Sequence, residues 1–84
     1  MFVDLNVYKI NKLAAQRLFL SKDHGNIDKA ISTIAIVTGC PCIVVAYWLG
    51  EIAGWETVEQ QIKTLKQFYG YIGIINAPPD CPYK

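Results

Sequence analysis

The longest uncharged stretch of the chain covers residues 30–50, with Lys29 before it and Glu51 after it. At about 1.5 Å of rise per residue, a helix of this length is about 31 Å long, close to the roughly 30 Å hydrocarbon thickness of a bilayer. The pattern therefore predicts a transmembrane helix over residues 26–54, whose core span is 30–50. Pro41 lies at its centre and removes one backbone hydrogen bond, so we expect a kink there.

Amphipathic patterns flank this stretch on both sides. Residues 1–25 predict an N-terminal amphipathic segment that ends in a turn, because apolar side chains recur at helical spacing. These positions are Val3, Val7, Ile10, Ala14 and Leu18. Asn26 is a favourable cap for the helix that follows.

A second amphipathic helix is predicted over residues 55–69. Its apolar stripe consists of Val58, Ile62, Leu65 and Tyr69. Thr57 and Gln60 have the spacing of a capping box, and Glu59 and Lys63 have the spacing of an ion pair. Residues 70–84 are interpreted as an apolar loop and an extended, proline-rich tail. The predicted fold is therefore an all-α membrane protein with a single kinked transmembrane helix between two amphipathic helices.

Small side chains recur along one side of the predicted transmembrane helix. At 100° per residue they fall within an arc of about 120°, and they are Ser32, Ala35, Gly39, Cys42, Ala46, Gly50 and Gly54. A strip of small residues lets another helix approach closely within a bilayer, so we expect a helix-docking face here. The aromatic residues Tyr47, Trp48 and Trp55 are expected to anchor the far end at the membrane interface.

Composition limits the remaining alternatives. The chain has 84 residues, 52% of them hydrophobic and 18% charged, with a net charge of +1, which gives no basis for nucleic-acid binding. No carboxylate has a partner acid, histidine or nucleophile at a catalytic spacing, so we expect no enzyme activity. A soluble small helical domain, in which residues 30–50 form the core, is the alternative to a membrane span.

The centre of the stretch contains Cys40 and Cys42 on either side of Pro41. Residues 36–45 resemble the intramembrane Cys-Pro-Cys segment of heavy-metal-transporting P-type ATPases, which implies a copper site because thiolates select Cu(I). The chain lacks the phosphorylation aspartate motif and the nucleotide domain of that family, so transport is not implied. The two cysteines lie about 200° apart on a regular helix, and only a kink would bring them together. A small copper-binding membrane protein is thus the alternative function.

Basic residues are more frequent before the apolar stretch than after it. Five precede it and three follow it, namely Lys9, Lys12, Arg17, Lys22 and Lys29 against Lys63, Lys66 and Lys84. The positive-inside rule then places the N-terminus in the cytoplasm or the mitochondrial matrix.

The function expected from these patterns is structural. We expect a non-catalytic, single-pass accessory subunit of a multi-subunit membrane complex of the respiratory or photosynthetic type. The expected location is the mitochondrial inner membrane, or else a bacterial or thylakoid membrane. The expected partners are the other membrane subunits and the lipid bilayer, with no cofactor other than a bound lipid.

Overall fold

Five α-helices make up the regular structure of residues 5–21 and 23–83, the part of the chain that a computed structural model describes, with side chains from Lys9 onward. They are α1 (Leu5–Ser21), α2 (Ile27–Thr38), α3 (Cys42–Ala53), α4 (Trp55–Tyr69) and α5 (Tyr71–Ile75). These residues contain no strand, so the all-helical class predicted from the sequence is confirmed for them.

The central uncharged stretch forms two helices, whereas the sequence predicted one. Gly39 adopts the left-handed conformation (φ 70°) and caps α2, with its N–H donated to the carbonyl of Ala35 at 2.9 Å. Pro41 follows two residues later and has no N–H with which to continue the helix. The expected kink is therefore a complete break, and the expectation of one continuous helix over residues 26–54 is wrong.

No single helix within residues 5–21 and 23–83 is long and apolar enough to cross a bilayer. The pair formed by α2 and α3 meets the length and composition criteria together, but its two axes are bent by 118° at the break.

Helix α3 lies at the centre of the molecule. It contacts α1, α2, α4 and α5, and all of residues 43–50 are buried. An α-helix that is apolar on every side is stable in a globular chain only when other elements surround it. The neighbouring helices supply the rest of the core, chiefly Ala15, Ile31, Ile34, Val58 and Ile62.

Helix α1 packs on the core with a face that overlaps the expected stripe only in part. Ala15 is buried and Leu18 of the stripe packs against the core, whereas Ile10, another member, is 65% exposed. Val3 and the side chain of Val7 lie outside the described residues. The side-chain amide of Gln16 donates to the carbonyl of Trp48 at 3.0 Å, and the Lys12 ammonium pairs with a carboxylate of α3, that of Glu51, at 2.6 Å. Polar contacts therefore fix the rotation of α1 against α3.

Helix α4 has the bounds predicted from the sequence. Val58 and Ile62 are buried, and the other two members of the stripe pack against the core. The ion pair between Glu59 and Lys63 is present at 3.1 Å. The predicted capping box is wrong, because Gly54 occupies the N-cap and the Thr57 hydroxyl donates to the carbonyl of an α3 residue at 3.0 Å.

A short helix, α5, occupies part of the segment predicted as a loop. Gly73 is its buried residue, and the hydroxyl of Tyr47 in α3 donates to the Gly73 carbonyl at 2.7 Å. Helix α5 is thus positioned by a buried contact between distant parts of the chain, which local sequence patterns do not reveal.

The Asn26 cap of α2 was predicted correctly, since the side chain of Asn26 accepts from the N–H of Lys29 at 2.9 Å.

Replacing Gly50 by valine is expected to destabilise the protein. An ideal Cβ at Gly50 would lie 2.5 Å from Cε3 of Trp55 and 2.9 Å from Cγ2 of Val58, so α4 would have to move away from α3. Overpacking of this kind costs about 1–3 kcal/mol. Urea unfolding followed by circular dichroism should show a lower midpoint than for the unmodified chain. The control is Ser32→Val at an exposed site of α2, and equal midpoints for the two variants would contradict the close packing of α3 and α4.

Replacing Tyr47 by phenylalanine tests the anchor of α5. The substitution removes a buried hydrogen bond and leaves the Gly73 carbonyl without this donor, at an expected cost of about 1–2 kcal/mol in the free energy of unfolding. Tyr71→Phe removes an exposed hydroxyl and should change stability by less than about 0.5 kcal/mol. If both variants unfold at the same urea concentration, the anchor does not contribute as described.

Candidate functional site

The most exposed apolar side chains near the C-terminus lie at the end of α4 and along α5, and we call this group the α5 face. It consists of Phe68 at the end of α4 and of Tyr71, Ile74 and Ile75 in α5. Phe68 is 82% exposed and Ile74 is 67% exposed. The three residues of α5 have spacings of three and one, which place them on one side of a helix. Clusters of exposed apolar side chains are typical of contacts with proteins or membranes.

The rest of α5 is held against the molecule, so the α5 face points outward. An ideal Cβ on Gly73 would lie 3.5 Å from Cγ1 of Ile43 and 3.3 Å from Cγ of Lys66, which shows how closely α5 approaches α3 and α4. No residue from 67 to 79 carries a charge. Because isolated helices of this length are unstable in water, the packing of Gly73 and its bond from Tyr47 maintain the α5 face.

The C-terminal tail packs beside this surface. The Lys66 ammonium donates to the carbonyl of Tyr83 at 2.5 Å, and the Lys63 ammonium lies 5.6 Å from the centre of the Tyr83 ring. Desolvation raises the pKa of the Tyr83 phenol above its usual value, and the carboxylates of Glu59 and Glu56 raise it further. Lys66 therefore contacts both α5 and the tail, and it links them to α4.

A second apolar surface lies on α2, and we call it the α2 face. Ile36 is 82% exposed, and Val37 beside it is also exposed. The opposite side of α2 contributes Ile31 and Ile34 to the core. Helix α2 therefore has apolar side chains on both sides, and the rest of the chain covers only the side with Ile31 and Ile34.

The predicted helix-docking face is divided by the break between α2 and α3. Ala35, Ala46 and Gly50 are buried, Cys42 is partly buried, and Ser32, Gly39 and Gly54 are exposed. Two of the glycines have positive φ values and end helices, so they do not continue a strip. Only Gly50 admits a close helix approach, and the helix that it admits is α4 of the same chain.

Two of the three predicted interface anchors occupy the interior of this chain, and the third, Trp55, is partly buried. Tyr47 is 1% exposed, Trp48 is also buried, and the Trp55 ring packs over Gly50. In place of the expected position at a membrane interface, these rings lie between helices. The hydroxyl of Tyr47 has an internal partner in Gly73, as a buried phenol requires.

The two central cysteines lie at the turn between α2 and α3. Cys40 is in the turn, where its thiol donates to the carbonyl of Thr38 at 3.6 Å, and Cys42 is the first residue of α3. The break places them outside one regular helix, which removes the 200° separation expected from the sequence. Among the described residues, no group of three or more His, Cys, Asp or Glu side chains could hold a metal ion.

A polar depression surrounds the turn between α1 and α2. His24 lies there with its Nε2 2.9 Å from the carbonyl of Leu18 and its ring stacked on Phe19. Asp23, Asp28 and Lys29 contribute to the lining. These contacts cap the end of α1, which gives His24 a structural role.

The geometry of α2 and α3 also occurs in DNA-binding proteins. Two helices at about 90–120°, joined by a three- or four-residue turn with glycine, form the helix-turn-helix motif, whose second helix enters the major groove. Here the helices are bent by 118°, but residues 43–50 of the second helix are covered by the other helices. Residues 43–50 of α3 are therefore not available for insertion into the major groove of DNA.

Among the outward apolar surfaces of the described residues are the α5 face and the α2 face, on a helical core. The sequence indicated the apolar character of the first surface, but it did not indicate the helix that organises it. No protein-family model matches the chain, and searches of the curated proteins and of the solved structures find no match.

Proposed function

We propose that the protein is a non-catalytic accessory subunit of a multi-subunit membrane complex and that the α5 face is its principal contact with a neighbouring subunit. The observation that carries this proposal is the exposure of Tyr71, Ile74 and Ile75 on one side of the anchored helix α5, with Phe68 exposed at the end of α4. Covering a large apolar side chain contributes about 1.5–3 kcal/mol. Binding of a neighbouring apolar surface to the α5 face would therefore be favoured by several kcal/mol of free energy from the covered side chains.

The anchoring of α5 makes this surface suitable for docking. The bond from Tyr47 to Gly73 and the close packing on Ile43 hold the short helix in one position. A surface that is ordered before binding loses less conformational entropy when a partner covers it. The α5 face is thus preorganised, and the α2 face offers a second contact on another helix.

The membrane part of the proposal is supported by the uncharged stretch 30–50. In hydrocarbon, a broken helix is tolerated where protein surrounds the break and its backbone groups find partners. Here the N–H groups of Gly39 and Cys40 both donate to the carbonyl of Ala35. A position among other subunits, in the inner mitochondrial membrane or in a bacterial or thylakoid membrane, would satisfy this requirement. We extend the proposal to the respiratory or photosynthetic complexes and to an N-terminus on the matrix or cytoplasmic side.

The test is assembly of the tagged chain in the cells from which it comes. Membranes are washed with alkaline carbonate, solubilised in mild detergent and separated on native gels. The unmodified chain should remain with the membranes and migrate in a high-mass complex. Ile74→Asn combined with Ile75→Asn should release most of the chain from that complex, because two amides replace apolar surface at the contact.

The matched control is Gln67→Asn combined with Thr64→Asn, which changes two exposed polar residues of α4. It should migrate like the unmodified chain. Circular dichroism of each purified variant establishes that the helices are retained. Recovery of the unmodified chain in the carbonate supernatant, or unchanged migration of the variant at residues 74 and 75, would contradict the proposal.

A further inference from the structure

The outward side of α1 combines apolar and basic residues. Lys9, Ile10, Leu13, Arg17 and Leu20 are all exposed, and at 100° per residue they fall within an arc of about 100°. We call this surface the basic face. It lies opposite Ala15, the residue through which α1 enters the core.

The charge on the basic face has one sign. No residue of α1 is acidic, and among the described residues neither Lys9 nor Arg17 takes part in an ion pair. Lys12, in contrast, points to the flank of α1 and pairs with Glu51 of α3. The two cations of the basic face are therefore available to an external negative charge.

We propose that the basic face of α1 binds the surface of an anionic lipid bilayer. Ile10, Leu13 and Leu20 would enter the boundary between headgroups and acyl chains, and Lys9 and Arg17 would contact lipid phosphates. Helices that lie in a membrane interface have this combination of apolar residues and cations, and long basic side chains can extend from an apolar contact to the headgroups. The inference rests on the proposed membrane function and deepens it by assigning a lipid contact to one helix.

The geometry favours a bilayer as the occupant of the basic face. From Ile10 to Leu20 the helix rises by ten residue steps, about 15 Å, and Lys9 and Arg17 lie beside these apolar residues along that length. A fluid surface with phosphates above hydrocarbon complements this alternation without requiring fixed partner residues. Gln16 and Lys12 hold α1 on α3 from the flank, so the basic face remains outward while α1 stays packed.

The test uses the purified full chain and protein-free vesicles, which separates it from assembly with other subunits. Flotation with vesicles of phosphatidylcholine and phosphatidylglycerol (7:3) is compared with flotation using phosphatidylcholine alone. Binding should favour the anionic vesicles and weaken as salt rises from 0.1 to 1 M, because salt screens exposed charges. Lys9→Gln combined with Arg17→Gln should weaken partitioning on the order of twentyfold, since each basic residue near such a surface contributes about fivefold.

The charge-matched control is Lys29→Gln combined with Lys63→Gln, two exposed lysines outside α1. It should bind anionic vesicles within about twofold of the unmodified chain, because its charges lie off the basic face. A third variant, Leu13→Ser with Leu20→Ser, should lose binding although its charge is unchanged. Absence of binding to anionic vesicles, or equal loss in the two charge variants, would overturn the inference. If the unmodified chain binds these vesicles but does not migrate in a high-mass complex, or if the variant at residues 74 and 75 migrates unchanged, only the proposed docking by the α5 face is contradicted.

Discussion

Burial of α3 is the constraint on which the rest of the structure depends. A helix that is apolar on most of its surface is stable in a small bundle only if other elements surround it, and a chain of 84 residues has few elements with which to do so. Residues 43–50 are nevertheless all buried. The helices α1, α2, α4 and α5 each contribute one side to α3. The outward sides of these surrounding helices carry the residues that do not contact α3, and many of these exposed residues are apolar.

The break at Gly39 and Pro41 makes this burial possible. A continuous helix over residues 26–54 would extend about 43 Å, which is longer than the largest dimension of the molecule, 31 Å. The left-handed glycine ends α2, and the proline prevents its continuation. The bend of 118° then returns α3 beside α2. Pro41, which suggested a kinked span, together with Gly39 thus gives a helical pair inside a small bundle.

Local patterns predicted the elements that depend on local physics. The bounds of α4, its apolar stripe, the Asn26 cap and the ion pair between Glu59 and Lys63 follow from spacing alone, and the structure contains each of them. The face of α1 was predicted only in part, because several of its sides are apolar. Leu18 of the stripe packs against the core, but the buried residue is Ala15.

The helix α5 could not be predicted because a contact from 26 residues away, between Tyr47 and Gly73, holds it in place. The candidate site likewise has one property that local patterns predict and one that depends on tertiary contacts. The apolar character of residues 68–77 is visible in the sequence, but its organisation into an outward face requires the tertiary contact. Ring burial at Tyr47 and Trp48 was also missed, since aromatic residues at the end of an apolar stretch suit an interface and a core equally well.

The most direct test of the account is the distance across the break. Spin labels attached through unnatural amino acids at Ser32 and Ile52, both exposed, leave the three cysteines intact. Double electron–electron resonance on the full chain should give a distance of roughly half that of a continuous helix, because the axes are bent by 118°. A distance of about 30 Å, the value for twenty residues of unbroken helix, would contradict the broken pair and the burial of α3 that depends on it.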